Sequence, residues 1–279
     1  MTSRPANVVK EYPIITFFVL AYAFSWWPWP LYGLGLSPGA VIGFGPFLAA
    51  LVVVALTRGK VGILELLRRM VRWRVGSAWY AAALLLPVGI ALGATVLNVL
   101  LGARPPSSAE LGAWPGLIPT YFLLLLIPGI GGAWEEPGWR GYALPKLQVG
   151  RSALVASLIV GVVWAFWHLP LMVEGVIPWS DLAYVTVQSV VYAWLFNNTG
   201  GSVLLVMLFH TMNNVVSGGF FRAMFSGADW ARMGWLLVAL WCAVAVVLVV
   251  ANGPEHLSHK HGKQVERATE PMVDKPTSV

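Results

Sequence analysis

Apolar residues along this chain occur in long unbroken blocks rather than at the period of an amphipathic helix or strand. Eight blocks are visible, at 14–35, 39–57, 78–102, 115–134, 152–173, 181–197, 201–218 and 231–251. Each block can form a membrane helix, in some cases a short or tilted one, because about 20 residues cross the hydrocarbon core. The pattern therefore predicts an all-α polytopic membrane protein with about eight transmembrane helices.

Two segments outside these blocks have different patterns. The stretch 61–75 places apolar residues at helical spacing with arginines beside them, which is typical of an amphipathic helix on the membrane surface. From residue 254 onward the chain is polar, lacks aromatic residues and carries both charge signs, which predicts a disordered tail. We therefore expect one membrane domain over residues 1–252 and a cytoplasmic tail over residues 253–279.

Composition supports a membrane location, since 58% of the residues are hydrophobic and only 11% are charged. With eight spans, fifteen of the eighteen Lys and Arg residues fall on the side that holds the N-terminus. Because basic loops stay in the cytoplasm, we expect a multi-pass protein of the cell membrane with both termini cytoplasmic. Anionic lipid head groups explain the net charge of +6, so nucleic acid is not an expected partner. A single cysteine, Cys242, excludes a disulfide framework.

Two adjacent carboxylates, Glu135 and Glu136, stand at the end of the fourth apolar block. A charged side chain in hydrocarbon is costly, so such residues usually face a water-filled cavity or a partner. The sequence IPGIGGAW precedes the pair and Pro137 follows it, which predicts a broken helix. Irregular backbone at membrane depth is tolerated where it is buried in protein or lines a cavity, so the segment also predicts a solvated pocket.

Arg140 follows Glu136 by four residues, which is the favourable order for an ion pair on one helix face. This pairing would leave Glu135 pointing elsewhere, so that the two carboxylates could take different chemical roles. The alternative interpretation is that Glu135, Glu136 and Arg140 form a purely structural ion network at the entry of a helix.

Three further polar residues lie inside other apolar blocks. His168 belongs to the fifth block, and His210 and Asn214 are four residues apart on one face of the seventh. Each of these groups needs partners or water, which separate spans supply only by packing together. We therefore expect Glu135, His168, His210 and Asn214 to converge on one cavity in the cytoplasmic half of the bilayer.

Three short motifs follow one another on separate spans: EExxxR beginning at Glu135, WxxxH ending at His168 and HxxxN beginning at His210. Together they resemble the motifs of the CPBP family, the Abi or CAAX-protease-like group of intramembrane endopeptidases. The resemblance covers about 134–214 by motif and the whole chain by architecture. The second family motif is usually FxxxH, whereas Trp164 stands in place of the phenylalanine here, so we expect the aromatic packing to be preserved.

The resemblance implies hydrolysis of a peptide bond in a membrane-associated peptide or protein, with lipidated substrates among the candidates. By this resemblance Glu135 would activate water, and His168 would orient the water or pass on its proton. His210 and Asn214 would donate hydrogen bonds to the oxyanion. The resemblance implies these site residues: Glu135, Glu136, Arg140, His168, His210 and Asn214.

Other chemistries use the same residues. Glu135, His168 and His210 also supply the two-His-one-carboxylate set of a catalytic zinc site. No HExxH motif is present, so the metal-free reaction without a cofactor is favoured and zinc is the alternative. A proton-coupled transporter is a second alternative, although no internal repeat supports it. A non-catalytic immunity or scaffold protein on the same fold is the third.

Overall fold

The structure is a computed structural model, and it describes residues 9–258. Helices make up most of this range, and no β-strand occurs within it. The prediction of an all-α fold is therefore confirmed. Long apolar blocks fold in this way because a helix satisfies the backbone N–H and C=O groups of its interior within one segment, as a hydrocarbon environment requires.

Eight helices of ten or more residues form the described bundle. They are α1 Pro13–Trp26, α2 Gly45–Met70, α3 Ser77–Leu100, α4 Leu117–Leu126, α5 Ala153–Trp167, α6 Asp181–Asn198, α7 Val203–Asn213 and α8 Gly227–Asn252. Helix α1 packs on α2, and α5 packs on α6. Helix α3 contacts α7 and α8, and α8 also contacts α6. Helices α5, α6 and α7 bring together the polar residues of the later apolar blocks.

Six segments of the described range are long and apolar enough to cross a membrane. They are Pro13–Gly33, Gly45–Met70, Ser77–Leu100, Ser108–Leu126, Val203–Met224 and Gly227–Asn252. Helix α5 is apolar but has only 15 residues, and α6 is not among the six. The predicted number of eight crossings therefore stays a prediction.

Large apolar side chains cover the outside of the bundle. Leu85, Leu100 and Val250 are 65%, 75% and 82% exposed, respectively, and each lies on one of the long apolar helices. Soluble proteins rarely expose contiguous apolar surface on this scale, whereas contact with lipid chains favours it. The chain is accordingly a multi-pass membrane protein.

The expected amphipathic helix is joined to the preceding span rather than separate. Helix α2 runs through a kink at Gly59, where φ is 59° and ψ is −149°, and ends at Met70. Glycine tolerates this positive φ because it has no Cβ. Residues 71–76 are not helical, so the predicted extent of 61–75 is wrong at its C-terminal end. Arg69 reaches into the protein, where it donates a hydrogen bond to the carbonyl of Gly141 at 2.7 Å.

The start of the expected tail is ordered. The carbonyl groups of Pro254 and Glu255 accept hydrogen bonds from the backbone N–H groups of Leu154 and Ala153, at 3.0 and 2.8 Å. These two N–H groups belong to the first turn of α5, where no intrahelical acceptor exists. Leu257 is fully buried. The prediction of disorder is therefore wrong for residues 254–258, and residues 259–279 lie outside the described range.

Candidate active site

A broken helical segment between α4 and α5 presents the two glutamates. After Gly129, whose φ is +88°, the backbone winds as a 3₁₀ turn at Gly132–Glu135 and a single α turn at Glu136–Gly138. A π-helical turn follows at Trp139–Ala143. The predicted break is confirmed. Since the winding changes between the two glutamates, their side chains bind different partners.

Glu136 forms a buried ion pair with Arg140. The Nη1 group of Arg140 donates to both carboxylate oxygens of Glu136, at 3.0 and 3.1 Å, and neither side chain is exposed. The guanidinium group also lies between two aromatic rings, 4.2 Å from the centroid of Trp164 and 4.5 Å from that of Tyr192. A buried charge needs this kind of compensation, and the pair occurs at the spacing expected from the sequence.

Glu135 binds a residue from another helix. Its Oε2 atom accepts a hydrogen bond of 2.6 Å from the indole Nε1 of Trp164 on α5, and its side chain is nearly buried. The two adjacent carboxylates therefore differ in kind. Glu136 is neutralised by a cation, whereas Glu135 is held by a neutral donor and faces a cavity.

His168 stands immediately after the last residue of α5. Its Nδ1 lies 2.9 Å from the carbonyl oxygen of Trp164, and because a carbonyl only accepts, Nδ1 carries the hydrogen. In the neutral ring the Nε2 atom is then an acceptor. Pro170 follows at the start of the short helix Leu169–Val173, so the chain turns directly after His168.

His210 connects the seventh apolar block to the broken segment. Its Nδ1 lies 2.7 Å from Oε1 of Glu136, so it donates to a carboxylate oxygen that Arg140 also binds. The imidazole ring packs directly on Gly132, where a Cβ atom would overlap it. Glycine at this position therefore permits the approach of the histidine.

A cavity of about 450 Å³ lies beside these groups. Four of the six predicted site residues line it: Glu135, His168, His210 and Asn214. Glu136 and Arg140 are fully buried behind the cavity wall. The cavity thus gathers a carboxylate, two imidazoles and an amide, which are groups suited to general acid–base chemistry on a polar bond.

The two adjacent asparagines at the end of α7 have different surroundings. Asn213 is buried, and its Oδ1 accepts hydrogen bonds from Tyr184 at 2.9 Å and Ser217 at 3.1 Å. Asn214 lines the cavity at the first position of a π-helical segment, Asn214–Phe221, that continues α7. Asn213 also borders the cavity, yet its oxygen is already engaged in structure.

The polar face of α6 is not among the site residues that the sequence motifs predict. Asp181, Tyr184 and Gln188 all line the cavity, and their spacing of three and four residues places them on one helix face. Asp181 pairs with Arg222 at 3.3 Å. The signal was visible in the sequence, because helical spacing of polar residues inside an apolar block indicates a face turned away from lipid.

The described residues do not form a metal-binding cluster. Between residues 9 and 258, no three His, Cys, Asp or Glu side chains are grouped so that they could hold a metal ion. The Nδ1 atoms of both cavity histidines are engaged, His168 with a carbonyl and His210 with a carboxylate. Metal-binding histidines commonly hold Nδ1 in this way and bind the metal through Nε2. These contacts therefore do not separate the metal-free reaction from the alternative zinc set of Glu135, His168 and His210, and both stay predictions.

Comparison with known proteins gives two matches. Residues 115–216 match the family model described as type II CAAX prenyl endopeptidase Rce1-like. A relative from Methanococcus maripaludis, named CAAX prenyl protease 2, is 24% identical over 201 residues, which cover 66% of this chain and 72% of that protein. The region matched by the family model contains the broken segment and all four predicted residues of the cavity.

Proposed function

We propose that this chain, which is similar to type II CAAX prenyl endopeptidases of the Rce1-like family, is an intramembrane endopeptidase in which Glu135 activates the attacking water. The observation that carries this proposal is the shared cavity of Glu135, His168, His210 and Asn214. A carboxylate that no cation neutralises directly, beside an imidazole with an accepting nitrogen, can take a proton from water.

Water would lie between the free oxygen of Glu135 and Nε2 of His168. Glu135 accepts one proton as the resulting hydroxide adds to the carbonyl carbon of the peptide bond. The carbon–nitrogen bond then breaks, and the leaving amine receives a proton from Glu135, either directly or through His168. The products are a carboxylic acid and an amine, and the enzyme returns to its starting protonation state.

The oxyanion of the tetrahedral intermediate would accept hydrogen bonds from the side chains of Asn214 and His210. The Nδ1 hydrogen of His210 is directed to Glu136, so the donor to the oxyanion must be Nε2. Only an imidazolium carries hydrogens on both nitrogens, so this step requires a protonated His210. Oε1 of Glu136 lies 2.7 Å from Nδ1 of His210, and Arg140 fixes the carboxylate in place.

The proposed substrate is a membrane-associated, prenylated protein. The relative from Methanococcus maripaludis is named as a prenyl protease, and the cavity of this chain has apolar walls beside the polar groups. Apolar lining residues include Val41, Leu124, Ile130, Leu171 and Ile177. We expect a farnesylated fluorogenic peptide in lipid vesicles to be cleaved faster than the same peptide without the lipid.

The orientation follows from the basic residues and is also part of the proposal. We propose that both termini are cytoplasmic and that the cavity lies in the cytoplasmic half of the bilayer. A cysteine introduced at Ser278, in a Cys242→Ala background, should react with a membrane-impermeant reagent only after the cells are opened. Labelling of intact cells would contradict this orientation.

The test of the mechanism is Glu135→Gln in the purified full-length protein. The amide keeps the shape of the side chain but cannot take a proton from water, so kcat should fall about a hundred- to ten-thousand-fold. Unchanged size-exclusion and thermal-unfolding profiles would show that the fold is intact. Full activity of the variant would overturn the proposal and favour the transporter or scaffold interpretation.

Metal dependence is tested on the same preparation. We expect the protein to keep its activity after treatment with a chelator and to carry no stoichiometric metal. If activity disappears and zinc alone restores it, Glu135 is a metal ligand rather than the general base.

A further inference from the structure

Trp164 lies at the centre of the candidate active site. Its indole Nε1 donates to Glu135, its backbone carbonyl accepts from His168, and the guanidinium of Arg140 lies over its ring. The ring centroid is 5.4 Å from that of His210. A single residue therefore touches four of the six predicted site residues, although it is buried to 1% exposure and enters none of the proposed proton transfers.

The contact with Glu135 has a definite chemical effect. An indole N–H only donates, so it neither takes a proton from water nor returns one. Its hydrogen bond of 2.6 Å is directed to Oε2 alone, and a hydrogen bond to an ionised carboxylate is stronger than one between neutral groups. Oε1 of Glu135 is left as the oxygen that can face the water. The bond also favours the ionised carboxylate, which is the form a general base requires.

Position 164 is also the one at which this chain departs from the FxxxH motif that it resembles. The phenylalanine of FxxxH has an aromatic ring but no N–H group, so it could support Arg140 but could not hold Glu135. Either tryptophan or phenylalanine at position 164 would satisfy the aromatic packing.

We propose that Trp164 is a positioning residue for peptide-bond hydrolysis, because its indole N–H fixes one oxygen of Glu135 and presents the other to the attacking water. This inference rests on the proposed function of Glu135. It requires that loss of the N–H group reduces turnover without a matching change in substrate affinity. Trp164 borders the cavity, but its N–H group is bonded to the carboxylate of Glu135 rather than left free for the substrate.

The experiment compares Trp164→Phe with a matched control, Trp139→Phe. Trp139 lies in the π-helical turn of the broken segment, is fully buried, packs on Phe17 of α1 and is not among the residues that line the cavity. Its Nε1 has no hydrogen-bond partner within residues 9–258. Both variants lose the same atoms, but only Trp164→Phe loses a bond to Glu135. The assay is cleavage of a farnesylated fluorogenic peptide by the full-length protein in vesicles.

We expect Trp164→Phe to lower kcat about 10- to 100-fold at nearly unchanged KM, as the loss of one hydrogen bond to a charged group predicts. The acidic limb of its kcat profile should move to higher pH, because the carboxylate without its donor is protonated more easily. The control variant should change kcat by less than about threefold and should keep the pH profile of the unmodified protein.

Equal kcat values and equal pH profiles for the two variants would overturn the role of Trp164. If Trp164→Phe does not fold, 3-benzothienylalanine at this position preserves the bicyclic shape and replaces the N–H by sulfur, and the same expectations apply. The result for Glu135→Gln separates the two proposals. An inactive Glu135→Gln with a normal Trp164→Phe refutes only the positioning role, whereas an active Glu135→Gln refutes both.

Discussion

Replacement of Arg140 by methionine tests whether the buried ion pair supports the site. The change removes both hydrogen bonds to Glu136 and the stacking between Trp164 and Tyr192, and it leaves a carboxylate that is not exposed. Methionine has a similar length and no charge, so the space stays largely filled. The effect on stability should therefore come mainly from the loss of the charge and of its hydrogen bonds.

The magnitude follows from the partners that remain. Breaking a buried pair by removing one member costs about 3–5 kcal/mol. His210 still contacts Glu136 at 2.7 Å after the change, and two nitrogens of Arg140, Nε and Nη2, have no hydrogen-bond partner in the described residues, so their removal offsets part of the loss. We expect a decrease of about 3 kcal/mol in the free energy of unfolding, near the lower end of that range.

Two comparisons isolate the cause. The double variant Glu136→Gln/Arg140→Met has no unpaired charge, so it should be more stable than Arg140→Met alone by about 1–3 kcal/mol. Arg104→Met removes an arginine from an exposed pair with Glu110, where the side chains are 57% and 33% exposed. Solvent screens that pair, so this change should leave the free energy of unfolding nearly unchanged.

The assay is reversible unfolding of the purified protein in mixed detergent micelles, followed by circular dichroism. If Arg140→Met lies within 1 kcal/mol of the unmodified protein, or if the double variant is no more stable than the single one, the reasoning about a buried and compensated carboxylate is refuted.

Two further predictions concern residues around the cavity. Asn214→Ala should lower kcat about a hundred- to thousand-fold without loss of stability. Asn213→Ala removes the acceptor of the hydroxyl groups of Tyr184 and Ser217 and should cost about 1–3 kcal/mol of unfolding free energy. Kinetic assays and denaturation of both variants test this pair of predictions, and an exchange of the two effects would contradict it. Gly132→Ala should displace His210 and reduce kcat, because the new Cβ would overlap the imidazole ring. Gly89→Ala, in open space on α3, is its control, and equal kcat values would contradict the steric argument.

Local patterns in the sequence were sufficient for several features. The all-α membrane class follows from the length and composition of the apolar blocks, because only helices and closed barrels satisfy backbone groups in hydrocarbon. The pair of Glu136 and Arg140 follows from a spacing of four residues, which one helical turn brings together whatever the rest of the chain does. The break before them follows from the glycines and Pro137.

Other sequence expectations failed because distant contacts determine them. The start of the tail is ordered because residues 254–258 supply acceptors to the free N–H groups of α5, which the local polarity of the segment does not reveal. The predicted number of eight crossings is neither confirmed nor contradicted by the six long apolar segments of the described range. A block such as 152–173 divides at His168, where the chain turns into a second short helix.

The arrangement of the candidate site was decided by tertiary structure. The sequence predicted that Glu135 points away from Arg140, but its partner, Trp164, is 29 positions away, and the contact of His210 with Glu136 joins residues 74 positions apart. Spacing in the sequence carries no information about such pairs, because they depend on how α5 and α7 pack against the broken segment. The sequence by itself determined which polar groups need partners, since burial in an apolar environment is costly for each of them. Only the packing of the helices decided which partner each group received.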